Sequence, residues 1–116
     1  MQYLALIYGE ESHWGALSPE DREREMGEYM ALSDEKVTVG GNELDSVSTA
    51  TTVRVRSDET VVTDGPFVES KEVLGGYYVF ECDSIDEACT WAAKIPAAKH
   101  GAIEVRPVHV DGGEAA

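Results

Sequence analysis

Apolar and polar positions alternate in different rhythms along the chain, and the rhythms predict the elements. YLALIY, residues 3–8, is an unbroken apolar run closed by Gly9, of a length that suits a strand covered on both faces. LSPEDREREMGEYMAL then reads as a helix: Ser18 can cap it, Pro19 suits its first position, and Glu20 and Asp21 favour the positive end of its dipole. Met26, Tyr29 and Met30 form its narrow apolar stripe, so it should lie on a surface. Gly40-Gly41 reads as a break, and 42–48 as irregular. TATTVRVR (49–56), the polar turn SDE (57–59) and TVVT predict a β-hairpin. GYYVFEC, 76–82, is the strongest strand signal. Ser84-Ile85-Asp86-Glu87 matches a capping box, opening a helix that carries Ile85, Ala88, Cys89, Ala92 and Ile95 and stops at Pro96. AIEVRPVHV, 102–110, alternates as a last strand, with Pro107 removing one ladder donor. One domain over 1–110 is expected, followed by a frayed, disordered tail, DGGEAA, at 111–116.

The order strand, helix, hairpin, strand, helix, strand predicts an α+β sandwich of ferredoxin-like type, with helices on one face of an antiparallel sheet. The other face then needs a cover, because strands 3–8 and 76–82 carry apolar residues on both sides. A second subunit is the simplest cover, so a homodimer is expected.

Charge narrows the partners. The 116 residues hold nine Lys and Arg against 23 Asp and Glu, a net charge of -14. Such a surface repels phosphate backbones and anionic lipids, which disfavours nucleic acid and membrane surfaces as partners. No apolar segment is long enough to span a bilayer, and MQYLALIYGEES lacks the basic region of a signal peptide, so a cytoplasmic location is expected. Cys82 and Cys89 form no C-x-x-C pair and read as small core residues.

The stretch TDGPFVESKEVLGGYY, 63–78, joins the hairpin to the strongest strand. Asp64 can bond a nearby backbone N–H, Gly65 allows positive φ and Pro66 fixes the exit direction, so a turn anchored by Phe67 explains these residues on their own. Asp64-Gly65-Pro66-Phe67 also resembles the signature of YCII-related proteins, in the subgroup called DGPF-domain proteins. ESKE at 69–72, LGGYY at 74–78, DSIDEA at 83–88, IEVRPV at 103–108, the opening MQYLALIYGEES and the TTVRV hairpin extend the resemblance to about residues 1–108. It implies a ferredoxin-like fold that pairs into a dimeric α/β barrel, an architecture that also serves lactone isomerases, dehydrochlorinases, monooxygenases and purely binding members. It also implies a link to sigma factors for some members. Fold alone does not give the activity.

Asp64, Lys71, Glu72, Glu104 and Arg106 are the ionisable residues that could converge. Glu104 and Arg106 are two apart on one strand and share a face. A structural ion pair or an exposed strand face would explain them as well. His13, His100 and His109 are scattered and match no metal-ligand spacing, so neither a metal nor another cofactor is expected. His13, beyond the first strand, stands where a general base could sit. Two functions of different class fit these residues. One is a cofactor-independent lyase or isomerase acting on a small polar or aromatic metabolite, with Asp64 as acid or base, Arg106 and Glu104 beside it, Phe67 as an apolar wall and Lys71 nearby. The other is a non-catalytic ligand-binding or regulatory interaction module, a sigma factor among its candidate partners.

Overall fold

The structure is a computed structural model that describes residues 1–110. The tail expected over 111–116 lies outside the described residues. The described residues form three helices and six strands: β1 (Gln2–Gly9), α1 (Ser12–Ala16), α2 (Pro19–Ser33), β2 (Thr38–Glu43), β3 (Thr51–Arg56), β4 (Glu59–Asp64), β5 (Val73–Glu81), α3 (Ile85–Ala92) and β6 (Ala102–Pro107). Short 3₁₀ turns cover Val47–Thr49 and Pro96–Lys99.

Four strands make one antiparallel sheet in the order β2-β5-β1-β6, while β3 and β4 form a separate two-stranded sheet. The fold is α+β and consistent with the ferredoxin-like expectation. The expected hairpin exists, but it does not supply the sheet's edge. That strand is β2, built from TVGGNE, where the sequence pattern predicts a break at Gly40-Gly41 and irregular chain from 42. The correction has a local cause. The register shifts between Thr38 and Gly40, and Gly41 sits at φ 153°. A Cβ there would lie 2.6 Å from the Tyr77 carbonyl, so the glycine pair lets an irregular edge strand press against β5. In the hairpin, Ser57 and Asp58 both take positive φ, 50° and 65°, the pattern of a two-residue turn that matches strand twist.

The caps fall where the sequence placed them. Ser18 Oγ accepts from the Asp21 N–H at 3.1 Å, and Ser84 Oγ from the Glu87 N–H at 3.2 Å. The core lies between the helices and one sheet face, where Ala5, Tyr78 and Phe80 meet Leu32 of α2 and Ala92 of α3, with Ile95 and Ala97 beyond α3. The opposite face carries Leu4, Leu6, Tyr77 and Val79 by strand alternation. These are half-buried, so β1 is fully covered on one side only.

Of the apolar stripe expected on α2, only Tyr29 lies on its core face. Met26 and Met30 are 50% and 62% exposed, whereas Glu25 and Leu32 are buried and Tyr29 half-buried. The inward positions run 25, 29 and 32, so a carboxylate occupies a core register.

Candidate active site

Three segments far apart in sequence meet beside that carboxylate. His13 comes from α1, and α1 is pinned at both ends. Glu11 accepts from the Val47 N–H at 2.7 Å and from Ser46 Oγ at 2.8 Å. These bonds hold the Glu11 carboxyl below the usual carboxylate range. At the other end Arg22 of α2 donates to the carbonyls of Trp14 and Gly15, at 3.2 and 3.3 Å. Arg22 therefore satisfies carbonyls at the end of α1 and fixes that short helix on α2. His100 follows the 3₁₀ turn at Pro96–Lys99, just before β6.

His13 Nε2 lies 3.0 Å from one oxygen of Glu25 and 3.3 Å from the other. His100 Nε2 stands 3.8 Å from the Glu25 carboxylate, and the two imidazoles stack with centroids 3.5 Å apart and planes 18° from parallel. Glu25 is the one charged residue buried among the described residues, at 7% exposure. A buried carboxylate requires a charge-compensating or hydrogen-bonding partner, and His13 supplies it. In return the carboxylate orients the ring.

Both histidines line an open cavity of about 960 Å³, bounded by α1, α2 and the edge formed by β2 and β5. Its apolar wall includes Trp14, Met26, Tyr29 and Met30. Burial pushes the Tyr29 phenol up to about 12, against a hydrogen bond with the Ala97 backbone, so Tyr29 is an uncharged hydroxyl at neutral pH. Asn42 Nδ2 donates to the Tyr77 hydroxyl at 3.1 Å. Glu10, Glu11, Glu43 and Asp45 contribute carboxylates; among the described residues the lining has no Lys or Arg.

The YCII-related domain matches residues 1–110. The chain belongs to that family. It is also similar to an uncharacterized protein of Rhizobium meliloti (strain 1021), 39% identical over 114 residues that cover 93% of this chain and 92% of the relative. Membership in the YCII-related family covers the sheet, both long helices and the hairpin, and so every residue of the cluster.

The residues singled out in the sequence lie elsewhere on this YCII-related fold. Asp64 ends β4 opposite Thr51; beside it the Gly65 N–H donates to the Ala50 carbonyl at 2.8 Å, and Thr52 Oγ1 donates to the Gly65 carbonyl at 2.8 Å. Gly65 takes φ 102°, as the turn reading requires. Phe67 is 73% exposed, with the Arg54 guanidinium 5.2 Å from its ring centre. Glu104 and Arg106 do come together, at 3.1 Å, on the helix-free face of the sheet, opposite Leu6 and Leu4 of β1. Lys71 pairs with Glu10 at 3.1 Å, at the cavity rim. None of these five is part of the cavity lining. What sequence reading missed is Glu25 and its bond to His13. A signal existed: stepping back along α2 from Leu32 and Tyr29 by helical spacing lands on Glu25.

Proposed function

We propose that this protein binds a small, largely apolar molecule in the cavity and transfers a proton on it, as a lyase or isomerase, with His13 as the base and Glu25 as its orienting partner. The observation that carries the reading is the buried Glu25 carboxylate 3.0 Å from His13 Nε2 at the cavity wall. A carboxylate-held imidazole is a common general acid–base device, and the hydroxyl of Tyr29 stands on the same wall as a neutral donor. The lining also supports a substrate class. With carboxylates present and no Lys or Arg among the described lining residues, an uncharged aromatic ligand fits better than an aromatic carboxylate or a phosphate ester. In this reading Asp64 closes the base of the hairpin.

The helix-free face, with Leu4, Leu6, Tyr77 and Val79, supports a second copy of the chain as its cover, which would complete an α/β barrel. Two free cysteines and no disulfide among the described residues fit a cytoplasmic location.

The test uses a panel of uncharged aromatic lactones and ketones in deuterated water, followed by proton NMR. Wild-type protein should exchange an acidic C–H of at least one member, and His13→Ala should slow that exchange by about a hundredfold or more. Exchange that survives His13→Ala would remove His13 as the base. Binding without exchange would favour the non-catalytic reading. Exposed valines on the hairpin, Val53, Val55 and Val62, lend that alternative a protein-contact surface.

A further inference from the structure

The cluster holds more than one base needs. A single histidine would satisfy Glu25, yet a second imidazole is stacked on the first, with its own Nε2 directed at the same carboxylate. Two imidazole nitrogens and one carboxylate are a donor set for a divalent first-row transition ion. We propose that His13, Glu25 and His100 form a binding site for such an ion, of the zinc type.

Three observations carry the assignment. The first is the spacing of the donors. All three ligand atoms lie within 4.8 Å of one another. Donors on one tetrahedral ion, with bonds of about 2.1 Å, stand about 3.4 Å apart. Measured to one carboxylate oxygen, Oε1, the His13 Nε2 distance of 3.3 Å is close to that value, and the His100 Nε2 distance of 3.8 Å is slightly long. The nearly parallel rings must tilt apart so that both lone pairs reach one point. The side chains can do so, because His13 and His100 are 27% and 30% exposed.

The second observation is charge. Glu25 brings a buried carboxylate, Glu11, Glu43 and Asp45 line the same cavity, Glu10 there is paired with Lys71 at the rim, and no Lys or Arg is in the described lining. A divalent cation is welcome in that field. The third is access. Both histidines face the cavity, so an ion held by three protein atoms keeps a position open toward it, as catalytic zinc sites do. The scattering of the histidines along the chain argued against a metal; the fold answers that argument by bringing two of them together.

The ion would take the place of the proton that His13 Nε2 shares with Glu25, since one ring nitrogen cannot hold both. Metal binding therefore stands apart from the proton-transfer reading, and its test needs no turnover. Chelator-treated, dialysed protein is titrated with cobalt(II), read by its visible ligand-field bands, and with zinc(II), read by calorimetry. The expected result is saturation at one ion per chain. His100→Ala should weaken affinity by at least about tenfold, and Glu25→Gln likewise, while His109→Ala leaves it unchanged. Absence of saturable binding of both ions overturns the proposal. So does equal affinity in wild type and His100→Ala, or, if His100→Ala shows no cooperative melt, equal affinity in Glu25→Gln. C–H exchange by the metal-free chain, lost in His13→Ala, is scored separately and decides only the reading of His13 as base.

Discussion

The bond between His13 and Glu25 can be weighed by a double-mutant cycle of His13→Ala and Glu25→Gln. The carboxylate is 9% exposed in its side chain and the imidazole 27%, so the pair sits between a surface bridge and a buried one. Exposed pairs contribute about 0–1 kcal/mol. Hydrogen bonds to charged groups in less solvated surroundings contribute about 1.5–3 kcal/mol. Half-shielding places the coupling at about 1–2 kcal/mol. His13→Ala should cost about 2–3 kcal/mol, because it strands a buried carboxylate; cavity water keeps this below the roughly 3–5 kcal/mol of a fully buried orphan. Glu25→Gln should cost less, about 1–2 kcal/mol, since the amide keeps one acceptor oxygen for the ring. The assay is urea unfolding followed by circular dichroism. With a slope of about 1–3 kcal/mol/M, each single variant should move the midpoint by about 1 M, and the double variant by less than the sum. A coupling under about 0.5 kcal/mol is what independent sites give. That result would refute the reasoning: His13 would be a surface ring near Glu25, and the candidate site would lose its base.

Three further outcomes are expected. The folded Glu11 carboxyl lies below its ordinary value of 4.5, so its contribution is present above that pH and is lost as pH falls through the lower folded value; wild type and Glu11→Gln should therefore converge in stability only once pH has fallen below that lowered value, in melts run across the acid range. Asp64→Asn should shift stability by no more than about 0.5 kcal/mol and leave aromatic-ligand binding intact, by thermal melts and saturation-transfer NMR, because its carboxylate is exposed at the hairpin base. Light scattering at micromolar concentration should give about 25 kDa, twice the 12.6 kDa chain, and a clean monomer would leave the outer sheet face without its proposed cover.

The elements were legible where local chemistry and burial agree. Ser18 and Ser84 cap the helices that their side chains announce, and the β-branched run at 51–56 forms its hairpin. β2 was illegible because Gly41, required by the close approach to Tyr77, belongs to a glycine pair, and such a pair ordinarily signals a break. The site was hidden for a different reason. Met26 and Met30 look like a core stripe, yet they face the cavity, and the core register holds Glu25, which polarity assigns to solvent. The Asp64-Gly65-Pro66-Phe67 stretch drew attention by its conspicuous composition, and its Gly65 serves the hairpin closure, at positive φ and bonded to Ala50 and Thr52. Convergence of His13 with His100 depends on β1 and β6 lying side by side, a pairing of chain segments nearly a hundred residues apart that no local pattern encodes.

That same pairing sets a timetable for synthesis. β1 has ladder partners in β5 and β6 alone, and the nearer of the two begins at Val73. At about 5–20 residues per second, a ribosome needs roughly 3–13 s to travel from Gly9 to Val73. Throughout that interval the segment YLALIY is out of the sheet that will shield it, an apolar strand with both edges bare. The hairpin of β3 and β4, whose contacts are local, can fold while β1 waits. The nascent chain is thus most exposed to aggregation and most in need of a chaperone early in its synthesis, and the danger passes only when β5 and then β6 close over the strand that was made first.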